Sequence, residues 1–151
     1  DPSSGRVAAC HAGWRGVAGG ILLEAIRLLE QAGSRRSDLR VALGPAVSGA
    51  HYQVERAVAE QVAAALPPGG QESGLAALEA CGALLADPEP GRHRLDIRAA
   101  SRRQLELAGV ASDQISVCPL CTVAEPELFH SWRRDQVKAV QWSGIVAQQL
   151  P

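Results

Sequence analysis

Apolar residues recur along this chain in short bursts, and glycine or proline punctuates them. Ala18, Ile21, Leu22, Ala25, Leu28 and Leu29 fall at helical spacing, and Gly33 marks the end of that helix. Val54, Ala57, Val58, Gln61, Val62 and Ala65 predict a second helix, closed by Pro67-Pro68-Gly69-Gly70, with a loop from Pro67 to Gly74. Ile97, Ser101, Leu105 and Ala108 predict a third, capped by Asp96 and closed by Gly109. The apolar runs Arg6 to Cys10, Val41 to Leu43, Ile115 to Cys118 and Val137 to Ile145 read as strands. Leu75 to Leu85 is helical by composition but broken by Gly82, and Asp87 to Arg92 is turn-like. Strands alternating with helices predict an α/β or α+β fold with a mixed sheet.

Length narrows this to a single domain over residues 1–151. The chain has no methionine, so it does not begin at its own start codon, and the N-terminal part of the domain is expected upstream of Asp1. A net charge of −1 gives no electrostatic reason to expect nucleic acid or an anionic membrane as partner. No apolar run approaches the roughly 20 residues of a membrane span. Four unevenly spaced cysteines do not form a secreted disulfide framework, which favours a reducing, cytoplasmic setting.

Aromatic residues are scarce, at 3%, which makes their neighbours informative. Trp14, Tyr52 and Trp132 each adjoin a histidine or arginine. The hexapeptide His11-Ala12-Gly13-Trp14-Arg15-Gly16 stands at a predicted strand-to-helix junction, where α/β folds commonly place ligands. Glycines let the backbone approach a ligand closely, and a guanidinium at a helix start suits phosphate or carboxylate. A plain strand-end histidine is the bland alternative for His11. Neighbours on an extended strand face oppositely, so Cys10 is expected in the core if His11 faces a cleft. Gly44 to Tyr52 reads as a rigid cleft-lining loop.

Cys118-Pro-Leu-Cys121 has the spacing of half a zinc site or of a redox pair. Cys121 could also pair with His11 or His130 as a nucleophile, or be an inert buried thiol. In His130-Ser131-Trp132-Arg133-Arg134-Asp135, an extended backbone would turn one arginine toward an anion and leave the other to pair, for instance with Asp135.

Four blocks together resemble one family. They are Ala8 to Gly16, Leu43-Gly44-Pro45-Ala46 with Tyr52-Gln53-Val54, Leu95-Asp96-Ile97 with Gln104-Leu105 and Ala108-Gly109-Val110, and Cys121-Thr122 with Phe129 to Asp135. The chain is similar to the YfiH-like family, also called laccase-domain or polyphenol oxidase-like, whose members are understood as purine nucleoside phosphorylases. The resemblance implies a layered α/β/α sandwich and an intracellular enzyme. It implies cleavage of adenosine, inosine or guanosine by phosphate to base and ribose 1-phosphate, with adenosine deamination and methylthioadenosine phosphorolysis as linked activities.

The family holds one zinc through two histidines and a cysteine. His11 matches one histidine, and the other two ligands are expected upstream of Asp1. By itself this stretch is expected to have little or no activity. Trp14, Arg15, Gly16, Tyr52, Trp132, Arg133 and Arg134 become candidates for binding nucleoside and phosphate, with Arg15 and Cys121 as candidate catalytic residues. A monomer or homodimer is expected. Rival readings are a copper-dependent polyphenol oxidase, a cysteine hydrolase and a non-catalytic interaction domain. Copper is disfavoured, because a multicopper site needs many histidines and this chain has four scattered ones.

Overall fold

The computed structural model describes residues 1–68 and 73–147. Its elements run α1 (Trp14–Ala18), α2 (Ile21–Gln31), β1 (Val41–Leu43), β2 (Gln53–Glu55), α3 (Arg56–Ala64), α4 (Leu75–Ala80), β3 (Leu84–Ala86), β4 (Arg92–Leu95), α5 (Ile97–Leu107), β5 (Ile115–Val117) and α6 (Trp132–Asp135). The fold is mixed α/β, with parallel and antiparallel pairing carried in two separate ladders. β1 pairs parallel with β5, placing Val41 opposite Ile115. β4 lies between β2 and β3, antiparallel to both.

Helix ends explain much of this division. α2, α4 and α5 all finish on a glycine with positive φ, at Gly33, Gly82 and Gly109. In each, the next residue's N–H reaches back five positions: Ser34 to the Leu29 carbonyl, Ala83 to Leu78 and Val110 to Leu105. This closure satisfies end carbonyls and brings apolar residues together across the stop. It packs Leu78 beside Ala83 and Leu105 beside Val110, all buried. Gly82 therefore ends α4 and releases the chain into β3. Asp96 caps α5 as expected, accepting the N–H groups of Arg98 at 3.0 Å and Ala99 at 3.2 Å.

Two cores result. One, built on Val17, Val54, Val62, Leu78, Leu84, Leu95 and Ile97, lies beneath the antiparallel ladder. The other, built on Leu22, Ile26, Leu39, Leu105, Val110 and Ile115, packs α2 against the parallel pair. α5 belongs to both, through Ile97 at its start and Leu105 near its end. Gln104 on α5 is fully buried and ties the helices together, donating to the carbonyls of Val17 at 3.2 Å and Ala65 at 2.7 Å.

Several expectations fail. Arg6 to Cys10 forms no strand, and its residues are exposed, including Cys10, which was expected in the core. Val137 to Ile145 forms none either, and Trp142 is 91% exposed. Both runs are apolar enough for strands, but a strand exists only against a neighbour, and none pairs with them among the described residues. The first predicted helix is two, separated at Gly20, whose φ of 74° starts α2 in a new direction. The second begins at Arg56, because Val54 belongs to β2. β2 and β4 escaped the sequence pattern because they mix polar and apolar residues over too few positions to show alternation, and β3 because it continues the apolar stretch of α4. The predicted loop from Pro67 to Gly74 lies partly outside the described residues. No helix among those described is long and apolar enough to cross a membrane.

Candidate functional site

The short helix α1 carries Trp14 and Arg15 to the molecular surface while burying Val17. The Arg15 guanidinium stacks on the Trp14 ring, 4.3 Å from its centre. Gly16 permits the preceding bend, since a β-carbon there would stand 2.7 Å from the His11 carbonyl oxygen. With only five residues, α1 has little end charge of its own, so Arg15 supplies the positive charge here.

Tyr52 stands just before β2. The first core and β4 fix it, and its carbonyl accepts the Leu95 N–H at 3.0 Å. Arg133 arrives from α6 to lie over the Tyr52 ring at 4.8 Å, while donating to the Gln53 carbonyl at 2.9 Å. Partial burial pushes the Tyr52 phenol up, against the pull of both the Arg133 and Arg15 charges. Two guanidiniums from opposite ends of the chain thus act on one tyrosine.

Trp14 separates two grooves. The first, about 530 Å³, is walled by Trp14, Arg15, Ala18, Gly19, Gln61 and Ala64. The second, about 270 Å³, lies between Trp14, Tyr52 and Arg133, with Glu55 and Arg92 at its edge. Arg92 pairs with Glu55 at 3.1 Å. Sequence reading did not single out Gln61, Glu55 or Arg92. The exposed–buried–exposed order of Gln53, Val54 and Glu55 is a two-residue period too brief to notice.

The remaining candidates lie elsewhere. Arg134 turns inward, where it donates to the carbonyls of Thr122, Val123 and Phe129 at 2.9 to 3.1 Å and pairs with Asp135 at 2.7 Å. The segment is helical instead of extended, yet the division between the two arginines is complete: Arg133 faces a groove and Arg134 is paired. Trp132 is 60% exposed and lines neither groove. His11 is exposed, with its imidazole folded against Gly13. Among the described residues no three His, Cys, Asp or Glu side chains gather as a metal site. The donors among the described residues therefore do not fit a complete zinc or copper centre.

Cys121 lies apart from both grooves. Its sulfur accepts the Ser48 N–H at 3.3 Å and sits 3.7 Å from His51 Nδ1. Ser48 Oγ stands 3.1 Å from that same nitrogen. Its histidine neighbour is therefore His51, not the His11 or His130 weighed from sequence. Burial alone raises this thiol. Hydrogen bonds from the Ser48 side chain and backbone, and from the Ala124 and Val123 backbone, outweigh it and bring the thiol down to about 6. Arg98, itself buried, holds the loop in place by donating to the carbonyls of Cys118 at 2.7 Å and Leu120 at 2.9 Å.

Residues 1–148 match the family model described as Multi-copper polyphenol oxidoreductase laccase. The chain belongs to this family. It is 43% identical over 148 residues to a purine nucleoside phosphorylase of Synechocystis, covering 94% of this chain and 56% of that protein. It is 40% identical over 136 residues to the purine nucleoside phosphorylase YlmD of Geobacillus stearothermophilus, covering 89% and 46%. The crystal structure of YlmD from G. stearothermophilus superposes with a TM-score of 0.72 at 36% identity, over 84% of this chain and 43% of that one. That of the Bacillus licheniformis hypothetical protein YfiH gives 0.71 at 34% identity, over 84% and 44%. The family chain thus spans about half the length of the curated relatives it matches.

Proposed function

We propose that the whole protein is a purine nucleoside phosphorylase, cleaving adenosine, inosine or guanosine with phosphate to free base and ribose 1-phosphate. The observation that carries this reading is the convergence of Arg15 and Arg133 on Tyr52 beside the Trp14 ring. The names of the relatives support it.

Phosphorolysis needs little covalent help from the protein. As the base departs, the ribose gains oxocarbenium character, and phosphate attacks the anomeric carbon. The protein must hold a polyanion beside a developing cation and keep a planar base in place. Arg15 and Arg133 supply fixed positive charge for phosphate. Trp14 and Tyr52 supply flat faces for the purine. Glu55 can accept hydrogen bonds from sugar hydroxyls or base N–H groups. Gly16 acts by letting the chain bend tightly ahead of Arg15. Arg134 acts through the backbone it clamps, and Trp132 is left with no contact in either groove.

Zinc dependence, adenosine deamination and methylthioadenosine phosphorolysis extend the same reading. His11 would be one metal ligand, with the others supplied from outside these 151 residues. A cytoplasmic monomer or homodimer completes the proposal. Copper-dependent phenol oxidation, which matches the wording of the family description, is the rival reading.

The test is release of hypoxanthine from inosine by the full-length protein, with and without phosphate. Phosphate-dependent release with equimolar ribose 1-phosphate is expected. Release that ignores phosphate overturns the reading. Metal analysis of the same preparation, expected to give one zinc per chain, tests the metal separately.

A further inference from the structure

The sulfurs of Cys121 and Cys81 have opposite surroundings. Cys81 is partly exposed, and its S–H donates to the Leu78 carbonyl at 3.3 Å. Cys121 is only 7% exposed, yet donors surround it. The Ser48 N–H points at its sulfur, the His51 ring nitrogen lies 3.7 Å away, and Ser48 Oγ bridges toward that nitrogen. Such a cradle stabilises an anion on sulfur. His51 itself is exposed, so solvent reaches the edge of the cradle. The arrangement is also rigid. Ala46 bridges to Cys121, and the Thr122 N–H bonds the Ala46 carbonyl at 3.1 Å. The Asp96 carboxylate accepts the Gly49 N–H at 3.3 Å. At Gly49 a β-carbon would press on Asp96 and Leu85 at 3.2 Å, so the loop fits closely against its support.

We propose that Cys121, cradled by Ser48 and His51, is a modification site for small hydroperoxides. The sulfur anion attacks one peroxide oxygen. An S–O bond forms as the O–O bond breaks, giving sulfenic acid and hydroxide, or alkoxide from an organic hydroperoxide, which takes a proton from solvent. Sulfur is oxidised by two electrons and the peroxide is reduced. Recessed placement makes the site selective: hydrogen peroxide is little larger than water, whereas a maleimide must enter as a ring.

The full-length protein, fully reduced, is exposed to hydrogen peroxide with dimedone as the sulfenic-acid trap. A parallel sample receives N-ethylmaleimide, and peptide mapping follows each cysteine. Peroxide is expected to modify Cys121 about tenfold faster than Cys81, because the Ser48 and His51 contacts stabilise the sulfur anion that attacks. Maleimide is expected to reverse that order. The proposal is overturned if peroxide modifies Cys81 as fast as Cys121, or if Cys121 reacts only after unfolding. His51→Ala, at an exposed position, is expected to slow Cys121 oxidation several-fold without changing the Cys81 rate. An unchanged Cys121 rate in that variant removes His51 from the site.

Discussion

The groove beside Trp14 and the cradle around Cys121 branch from one stretch of chain, residues 44–55, and they use polar groups in opposite ways. In the groove, the cations of Arg15 and Arg133 lie over aromatic rings at an open surface, and neither pairs with a carboxylate among the described residues. Their charge is available to a ligand. In the cradle, the polar groups of Ser48 and His51 are already gathered around one sulfur atom. The difference separates binding from tuning: an open site leaves its electrostatics unsatisfied for a partner to complete, whereas a closed one spends them on the reactivity of its own atom. Neighbouring residues show the same division. Arg133 faces outward over Tyr52, while Arg134 exhausts its donors on three carbonyls and Asp135.

The largest expected effect comes from emptying the open site. Arg133→Ala should lower kcat/KM for phosphorolysis by the full-length protein about 100-fold, as loss of a preorganised charge contact does. Its unfolding free energy should change by less than about 0.5 kcal/mol, because the side chain is exposed. A large loss of stability would move Arg133 to the structural side of the comparison. Arg98→Ala should do the reverse near the cradle. Two partly buried carbonyls lose their donor, costing about 2 kcal/mol in denaturant unfolding, and Cys121 should become more accessible to maleimide.

Asp96→Ala removes the α5 cap and the anchor for Gly49, and should cost about 1 kcal/mol by thermal or chemical unfolding. The smallest effect is one of pH. The Cys121 thiol ionises near 6 in the folded chain, against an ordinary value of 9.0. A depressed acid favours the folded state above its unfolded pKa, and that contribution is lost as pH falls through the folded one. The melting temperature of the wild type relative to Cys121→Ser should therefore rise between pH 6 and pH 9. A flat difference would mean that the sulfur is not held as an anion.

Legibility from sequence followed the reach of the interactions involved. α5 was readable from both ends, because the Asp96 cap and the Gly109 closure are local chemistry. The parallel pair was half readable, since Val41–Leu43 and Ile115–Val117 are apolar runs, but nothing local says that they meet. Arg6 to Cys10 and Val137 to Ile145 look just as apolar and pair with nothing among the described residues. Trp14, Arg15, Tyr52 and Arg133 were conspicuous as rare aromatics beside cations. Their neighbours Glu55 and Arg92 were not, because β2 and β4 form only through pairing between distant segments.

Residue types and short spacings alone determined the mixed α/β class, the capped helix α5 and the family blocks from Ala8 to Asp135. Each depends on side chains within about a helical turn of one another, or on motifs specific enough to stand without contacts. Tertiary structure decided which chemistry those blocks share. It set Arg133 over a tyrosine 81 positions earlier and turned Arg134 away. It also gave Cys121 the company of His51 in place of His11 or His130. Such pairings depend on how strands and helices cross in space, and a side chain's type carries no record of the neighbour that long-range packing will bring to it.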